Sequence, residues 1–132
     1  MPGTTPVFEQ MAHRLATERA WSVCVPEIIT EDRTAAFAER RLKVVGVADQ
    51  TVFATLRDAA AAATGDSTVS LMGFCVGGMY AMKATSLHVF DRIVAFYGMV
   101  RVPEYWQSPE QGEPLDYLRG NTDSILAIFG DR

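Results

Sequence analysis

A single cysteine in the middle of the chain stands in a context that could make it a nucleophile. The apolar run 69–72 is typical of a buried strand, and a segment typical of a helix starts at Gly78. Between them Cys75 is the centre of Gly-Phe-Cys-Val-Gly, and this order of strand, Gly-x-Cys-x-Gly and helix is that of a nucleophile elbow. Because the chain must reverse within a few residues, we expect a strained backbone at Cys75, with small residues on either side that let strand and helix pack closely.

The backbone after this cysteine predicts a place for negative charge. The amide of Val76 would lie at the N-terminus of the following helix, where free N–H groups and the helix dipole favour an anion. An amide in that place can stabilise the oxyanion that forms when a nucleophile attacks a carbonyl group. A structural role for Cys75 stays open, because free cysteine often packs as a small hydrophobic side chain.

The other cysteine and the two histidines are poor partners for Cys75. Cys24 lies in the apolar run 23–29, so we expect it in the core, and the two cysteines lack the C-x-x-C spacing of a metal or redox pair. His13 lies within the first predicted helix, and His88 lies roughly 20 Å from Cys75 along the elbow helix. We therefore expect neither histidine to act as a general base for the thiol.

The spacing of apolar residues predicts two helices in the first half of the chain. Pro6 is typical of a first helical position, and a second helix is expected to begin at a capping Asp49 and to end at Gly65. Between these helices we expect a buried strand over 23–29 and an exposed loop with a short helix over 30–48. The inner faces of the two helices are predicted to be Phe8, Met11, Ala12, Leu15 and Ala16, and Val52, Phe53, Leu56, Ala59, Ala60 and Ala63.

Strands and helices also alternate after the elbow. Strands separated by helices predict right-handed βαβ crossovers and a parallel sheet covered on both faces, so the fold class is α/β. Tyr80 and Met82 are expected to be packing residues of the elbow helix. The predicted elements are an elbow helix to about Leu87, strands over 92–97 and 124–129, a loop over 99–114 and a helical turn over 115–119.

One edge of such a sheet is the expected place of a binding site. Ligands of open parallel sheets bind beyond the carboxyl ends of the strands. Tyr97 and Arg101 are predicted to line a substrate pocket there, and the loop after Gly98 is expected to form a wall of it with an aromatic surface and one cation. The residues that this edge and the following loop would carry are Cys75, Tyr97, Gly98, Arg101, Glu104, Tyr105, Trp106 and Asp131.

The composition narrows the class of protein. With 132 residues, of which 48% are hydrophobic, we expect one globular domain. A net charge of -4 without a basic stripe argues against nucleic acid as a partner. No run of about 18 apolar residues and no signal sequence is visible, so we expect neither membrane insertion nor secretion. A reducing cytoplasm is the simplest setting for two unpaired cysteines.

The elbow sequence Gly-Phe-Cys-Val-Gly-Gly resembles the G-[FY]-C-x-G-G elbow of the dienelactone hydrolase family of α/β-hydrolases. The similarity extends over most of the chain and keeps its order. It includes a first helix with Met-Ala-His-Arg-Leu-Ala, a Val-Cys-Val-Pro-Glu segment, a strand that ends in Tyr-Gly, and the final Ile-Leu-Ala-Ile-Phe-Gly-Asp-Arg. The resemblance implies a partial α/β-hydrolase fold, a single incomplete domain over 1–132.

The same resemblance implies that parts of the family's fold lie outside these residues. Family members begin with several strands and an oxyanion loop before the first helix. Their acid lies in a G-x-x-D turn, which places Asp131 too early in the chain, and their histidine comes later, on a loop beyond a further strand. The catalytic acid and histidine are therefore expected beyond this chain.

The resemblance further implies hydrolysis of a small ester or lactone, with no cofactor and no metal. The Cys75 thiolate would attack the carbonyl carbon, and water would release the acyl-thioester. The rival class is a non-catalytic α/β binding domain in which Cys75 is structural or senses redox state. The sequence predicts neither the natural substrate nor the oligomeric state.

Overall fold

The computed structural model describes residues 5–28, 39, 45–64, 68–120 and 124–131. Of the predicted loop over 30–48 the structure describes only residues 39 and 45–48, and the predicted helix end at Gly65 lies outside the described residues. The helices and strands follow the predicted order in most of the chain. They are α1 (Pro6–Arg19), α2 (Asp49–Thr64), β1 (Ser70–Phe74), α3 (Val76–Lys83) with a 3-10 turn (Ala84–Leu87), β2 (Arg92–Phe96), a second 3-10 turn (Glu104–Trp106), α4 (Pro114–Leu118) and β3 (Ile125–Ile128).

The three strands form the predicted parallel sheet, in the order β1-β2-β3. Leu71 lies opposite Ile93, and Ile93 lies opposite Ile125, so one residue from each strand points to the same face. This α/β arrangement, with α3 packed on β1 and β2, is that of a partial α/β-hydrolase fold. No helix in the described part of the chain is long and apolar enough to cross a membrane.

The prediction that helices cover both faces of the sheet is only half right. On the face that packs against α3, Ile93 is 2% exposed and Ala95 is fully buried. On the other face Met72 and Leu126 are 45% and 58% exposed, because α1 reaches only its edge, where the Phe8 ring lies 5.6 Å from that of Phe74. An apolar sheet surface is therefore left open to solvent in the described part of the molecule.

The predicted strand over 23–29 is wrong where it can be compared with the structure. Residues 21–27 pair with no described strand, and Val23 and Val25 are 37% and 38% exposed. Cys24 is exposed, so its predicted place in the core is also wrong. The physical reason is that an apolar run becomes a strand only when it lies within hydrogen-bonding distance of a sheet edge. An apolar cavity of about 490 Å³ lies between this segment and β1 instead.

The core is built around α3, the elbow helix. Met79, Tyr80 and Met82 are each 1% exposed, which confirms the predicted packing roles of Tyr80 and Met82. The predicted inner face of α2 is confirmed by buried Val52, Phe53, Leu56 and Ala60. Trp106 is 6% exposed, so it packs in the core and does not form a solvent-facing pocket wall.

A buried ion pair holds the C-terminal end of α3. The Lys83 Nζ donates to the Asp49 carboxylate at 2.7 Å, with both side chains almost fully buried. The same carboxylate accepts hydrogen bonds from the amide of Gly112 at 2.8 Å and the hydroxyl of Tyr117 at 3.0 Å. Asp49 is the first residue of α2, and these bonds occupy its carboxylate. The prediction that its side chain caps this helix is therefore wrong.

The tyrosines beside this ion pair keep their protons more tightly than free tyrosine does. Burial, with the charge of Asp49 as a second cause, raises the pKa of Tyr80 to about 12. Loss of solvent, followed by the hydrogen bond to Asp49 and its charge, raises the pKa of Tyr117 to about 12. The fold therefore stabilises both phenols in their neutral form.

Removing the lysine is expected to destabilise the fold strongly. Lys83→Met leaves a buried carboxylate without its cation, a change that typically costs about 3–5 kcal/mol in the free energy of unfolding. Urea denaturation of Lys83→Met, Asp49→Asn and the double variant should show a double variant that loses less than the sum of the two single ones. Arg14→Ala breaks the exposed Arg14–Glu18 pair and serves as the control, with little expected change. An equal loss for Lys83→Met and Arg14→Ala would contradict the role given to the buried pair.

The tyrosines predict a loss of stability in alkali. A folded-state pKa above the ordinary value of 10.0 means that the stabilisation is complete below about pH 10 and is lost as the pH rises through about 12. The urea midpoint is therefore expected to fall between pH 10 and pH 12. Tyr117→Phe has no phenol proton to lose at that position, so its midpoint should fall less over the same range. An identical fall in both proteins would disprove the contribution of Tyr117.

Candidate active site

Cys75 forms the turn between β1 and α3, as the sequence predicts. It is the N-cap of α3, and its backbone has φ 54° and ψ -115°, a conformation that residues other than glycine rarely adopt. Its N–H donates to the Phe96 carbonyl oxygen at 3.0 Å, and its own carbonyl oxygen accepts from the Met79 N–H at 3.0 Å. The strained residue is therefore held by β2 on one side and by its own helix on the other.

The reversal at Cys75 depends on direct contact between strand and helix backbones. A Cβ atom on Gly73 would lie 2.1 Å from the Gly77 carbonyl oxygen and 2.9 Å from the Gly78 nitrogen. A Cβ atom on Gly77 would have no neighbour within 4 Å. The expectation that small residues on both sides of the cysteine allow the close approach is thus correct for Gly73 and wrong for Gly77.

The Val76 amide lies where the sequence places it, at the first helical position of α3. Among the described residues we find no acceptor for its N–H group, which is one of the amides that a helix leaves unpaired at its start. The Cys75 side chain beside it is half-buried and packs partly against the core. A thiol and an unpaired amide are therefore adjacent at the carboxyl edge of the sheet.

Tyr97 lies at the end of the neighbouring strand. It also has a positive φ, 40°, and its side chain is 58% exposed. Its ring centroid lies 6.2 Å from that of Phe74, and Phe74 stacks on Phe96 at 4.8 Å with an interplanar angle of 8°. Tyr97 thus continues an aromatic surface at the same edge as the cysteine.

Arg101 lies apart from the elbow. Its side chain is exposed and lines a small cavity of about 220 Å³. The other lining residues are Glu113, Leu115, Asp116 and Arg119, and no residue of the elbow is among them. Arg101 therefore shares a cavity with two carboxylates, and Cys75 does not line that cavity.

Asp131 and the histidines can be placed relative to the elbow by the strand order. Asp131 is exposed and follows the end of β3, which β2 separates from β1. Two strand spacings of about 4.8 Å place the end of β3 roughly 10 Å to the side of the elbow strand. His13 is exposed on α1, and His88 is exposed at the end of the 3-10 turn that continues α3 away from Cys75.

An apolar cavity of about 490 Å³ borders the elbow without including its thiol. It is lined by β1, α2, α3, α1 and the segment that carries Trp21 and Cys24, and it reaches Val76 and Gly77 but not Cys75. No group of three or more acidic, histidine or cysteine side chains in the described part of the chain could hold a metal ion. The reactive groups that the described residues place at the elbow are a thiol and a backbone amide.

A parallel sheet with a strained residue between a strand and a helix at its carboxyl edge is the arrangement of the nucleophile elbow in α/β-hydrolases. The family model of the dienelactone hydrolase family matches residues 7–130, and the chain therefore belongs to that family. Membership supports hydrolase activity on a small-molecule substrate. Searches of curated proteins and of solved structures found no match.

The contrast between the two glycines gives a stability prediction. Gly73→Ala places a methyl group against backbone atoms that no rotamer change can move, so we expect a loss of at least about 1–3 kcal/mol, the usual cost of overpacking, or failure to fold. Gly77→Ala adds a methyl group in open space within a helix, where alanine is favoured over glycine by about 1 kcal/mol. Urea denaturation of both variants measures the difference. A Gly77→Ala variant as unstable as Gly73→Ala would disprove it.

Proposed function

We propose that this protein hydrolyses a small ester or lactone with Cys75 as the nucleophile. The observation that carries the proposal is the strained placement of Cys75 at the N-terminus of α3, beside an amide that has no acceptor among the described residues. The thiolate attacks the carbonyl carbon, a C–S bond forms, and the electron pair of the C=O bond moves to oxygen. The Val76 amide donates a hydrogen bond to this oxyanion, a contribution that typically amounts to about 10²–10³ in rate.

The second half of the proposed reaction releases the acyl group. The oxyanion collapses and expels the alcohol oxygen, which takes a proton, and the acyl group remains on sulfur as a thioester. Water then adds to the thioester carbonyl, the C–S bond breaks, and the acid product leaves with the thiol restored. For a lactone the alcohol and the acid are two ends of one product molecule.

The base that moves these protons is proposed to come from residues beyond this chain. His13 and His88 are the chain's two histidines, and the first lies on α1 while the second lies at the far end of the elbow helix. A general base must reach the proton that it abstracts, within about 3 Å or through one water. An acid on the chain that continues from Asp131 would orient this base.

The substrate is proposed to contact Tyr97 and, through a negatively charged group, Arg101. Tyr97 is supported by its exposed ring at the same sheet edge as Cys75. Arg101 is supported by its position on the loop that follows the same strand, although Glu113 and Asp116 line its cavity too. A carboxylated substrate would compete with these two carboxylates for the guanidinium group.

A binding domain without catalysis is the second candidate. It is favoured by one observation, which is that neither histidine of the chain lies at the elbow. In that case Cys75, half-buried at a helix N-terminus, would be structural or would respond to oxidants. For either function we propose a reducing compartment such as the cytoplasm, since both cysteines are free.

Ester turnover by two lengths of the protein tests the proposal. With the nucleophile and one oxyanion donor but no reachable base, the 132-residue chain is expected to hydrolyse p-nitrophenyl acetate slowly. The same chain expressed with the coding sequence that flanks it should hydrolyse the ester at least 100-fold faster, because a base and a second donor each contribute about 10²-fold or more.

Matched cysteine variants serve as controls for that experiment. Cys75→Ala should abolish turnover in the longer protein, whereas Cys24→Ala, which removes the exposed cysteine, should leave it unchanged. Turnover that survives Cys75→Ala would overturn the proposed nucleophile. Fast Cys75-dependent turnover by the 132-residue chain would keep the nucleophile but overturn the external base.

A further inference from the structure

Gly98, which follows β2 and lies outside the cysteine motif, contacts the elbow helix directly. A Cβ atom on Gly98 would lie 2.5 Å from the Gly78 carbonyl carbon, 2.8 Å from the Gly78 oxygen and 2.8 Å from the Met79 nitrogen. In the other direction, a Cβ atom on Gly78 would lie 2.8 Å from the Phe96 oxygen and 2.9 Å from the Gly98 Cα. The two glycines therefore touch through backbone atoms, and no side-chain rotation could make room between them.

This contact belongs to a closed loop of interactions that includes the nucleophile. Gly78 and Met79 lie in the first turn of α3, and the Met79 N–H donates to the Cys75 carbonyl oxygen. The Cys75 N–H donates in turn to the carbonyl oxygen of Phe96, two residues before Gly98. A displacement of α3 away from β2 would therefore change the position of Cys75 and of the amide that follows it.

The turn that brings Gly98 under α3 is itself strained. Tyr97, the residue before it, has φ 40°, which costs free energy for a residue with a Cβ atom. Its N–H donates to the Ile128 carbonyl oxygen at 2.7 Å, so the third strand helps to hold it in this conformation. The adjacent strands β1 and β2 are thus each followed by a non-glycine residue with a positive φ, Cys75 after β1 and Tyr97 after β2. The contact between Gly78 and Gly98 lies between these two turns.

We propose that Gly98 is a positioning residue for the reaction at Cys75. It acts by letting the first turn of α3 lie directly on the end of β2, which sets the Val76 amide relative to the thiol. The proposal rests on the proposed function of Cys75 as a nucleophile. A side chain at position 98 would push the first turn of α3 back by several tenths of an ångström, and misplacement of reacting groups by about 1 Å can cost 10²-fold in rate.

Two reactions of the same thiol separate positioning from folding. Iodoacetamide alkylates sulfur by displacement and needs no oxyanion donor, so its rate reports the accessibility of Cys75. Acylation of Cys75 by p-nitrophenyl acetate passes through an oxyanion, so its single-turnover rate also reports the Val76 amide. Both rates are measured on the 132-residue chain from the mass gain at Cys75, and alkylation of exposed Cys24 in the same molecule is the reference.

Gly98→Ala is expected to lower the ratio of acylation to alkylation at Cys75 by tenfold or more, while the alkylation of Cys24 stays unchanged. The matched variant is Gly120→Ala. Gly120 has φ 77°, and no described residue lies within 4 Å of a Cβ atom placed there, so alanine is expected to destabilise the chain through backbone strain. Its acylation-to-alkylation ratio should equal that of the unchanged protein.

Tyr97→Gly keeps the experiment decisive if Gly98→Ala does not fold. Glycine accepts the positive φ at position 97 without strain and loosens the turn, so the ratio is expected to fall threefold or more in a folded protein. An unchanged ratio in a folded Gly98→Ala protein, or in Tyr97→Gly when the first variant does not fold, would overturn the positioning role. An equal fall in Gly120→Ala would overturn it as well. If the unchanged protein is alkylated but never acylated at Cys75, the proposed function itself fails.

Discussion

The contact of backbone on backbone at the elbow is the constraint on which the rest of the structure depends. β1 must reverse into α3 at one strained residue, and it does so because Gly73 lets the strand touch the carbonyl of Gly77. The helix that results packs directly against the sheet. Its own side chains, among them Met79 and Met82, form the centre of the core. β2 is equally bound to this turn, since it accepts the N–H of Cys75.

Each end of the elbow helix is fixed by a different kind of interaction. At the N-terminus the contacts are steric and involve the backbone, which tolerates no displacement. At the C-terminus the fixing interaction is electrostatic, a buried lysine and aspartate that also bind Gly112 and Tyr117. A short helix of eight residues held at both ends is well suited to present one amide in a constant place, which is what the stabilisation of a transient oxyanion requires.

The features predicted correctly from the sequence are those that short segments determine. The elbow, the helices and the three strands follow from apolar spacing and from a motif of a few residues. Two of the wrong predictions involve a partner distant in sequence. Asp49 is a reasonable cap by local rules, but its carboxylate binds a lysine 34 residues away. The run around Cys24 has the composition of a strand, yet no described edge pairs with it. The contact of Gly98 with Gly78 has no local signature, because a glycine after a strand looks like an ordinary turn residue.

The position of β1 in the sheet has a consequence for the dynamics of the thiol. The Val69 carbonyl oxygen accepts from the N–H of Asp91, the residue before β2, and the Cys75 N–H donates to Phe96 of β2. The backbone groups of successive residues in a parallel pair point alternately toward and away from the partner strand, so those of Ser70, Met72 and Phe74 point away from β2. In the described part of the molecule the strand that leads into the strained residue is thus an edge strand. Local unfolding of a protein begins where the fewest hydrogen bonds must break. At this strand, the release of backbone strain at Cys75 would favour it. A segment that pairs with this edge would therefore slow the local unfolding of the elbow. The exchange of amide hydrogens along β1 would slow as well.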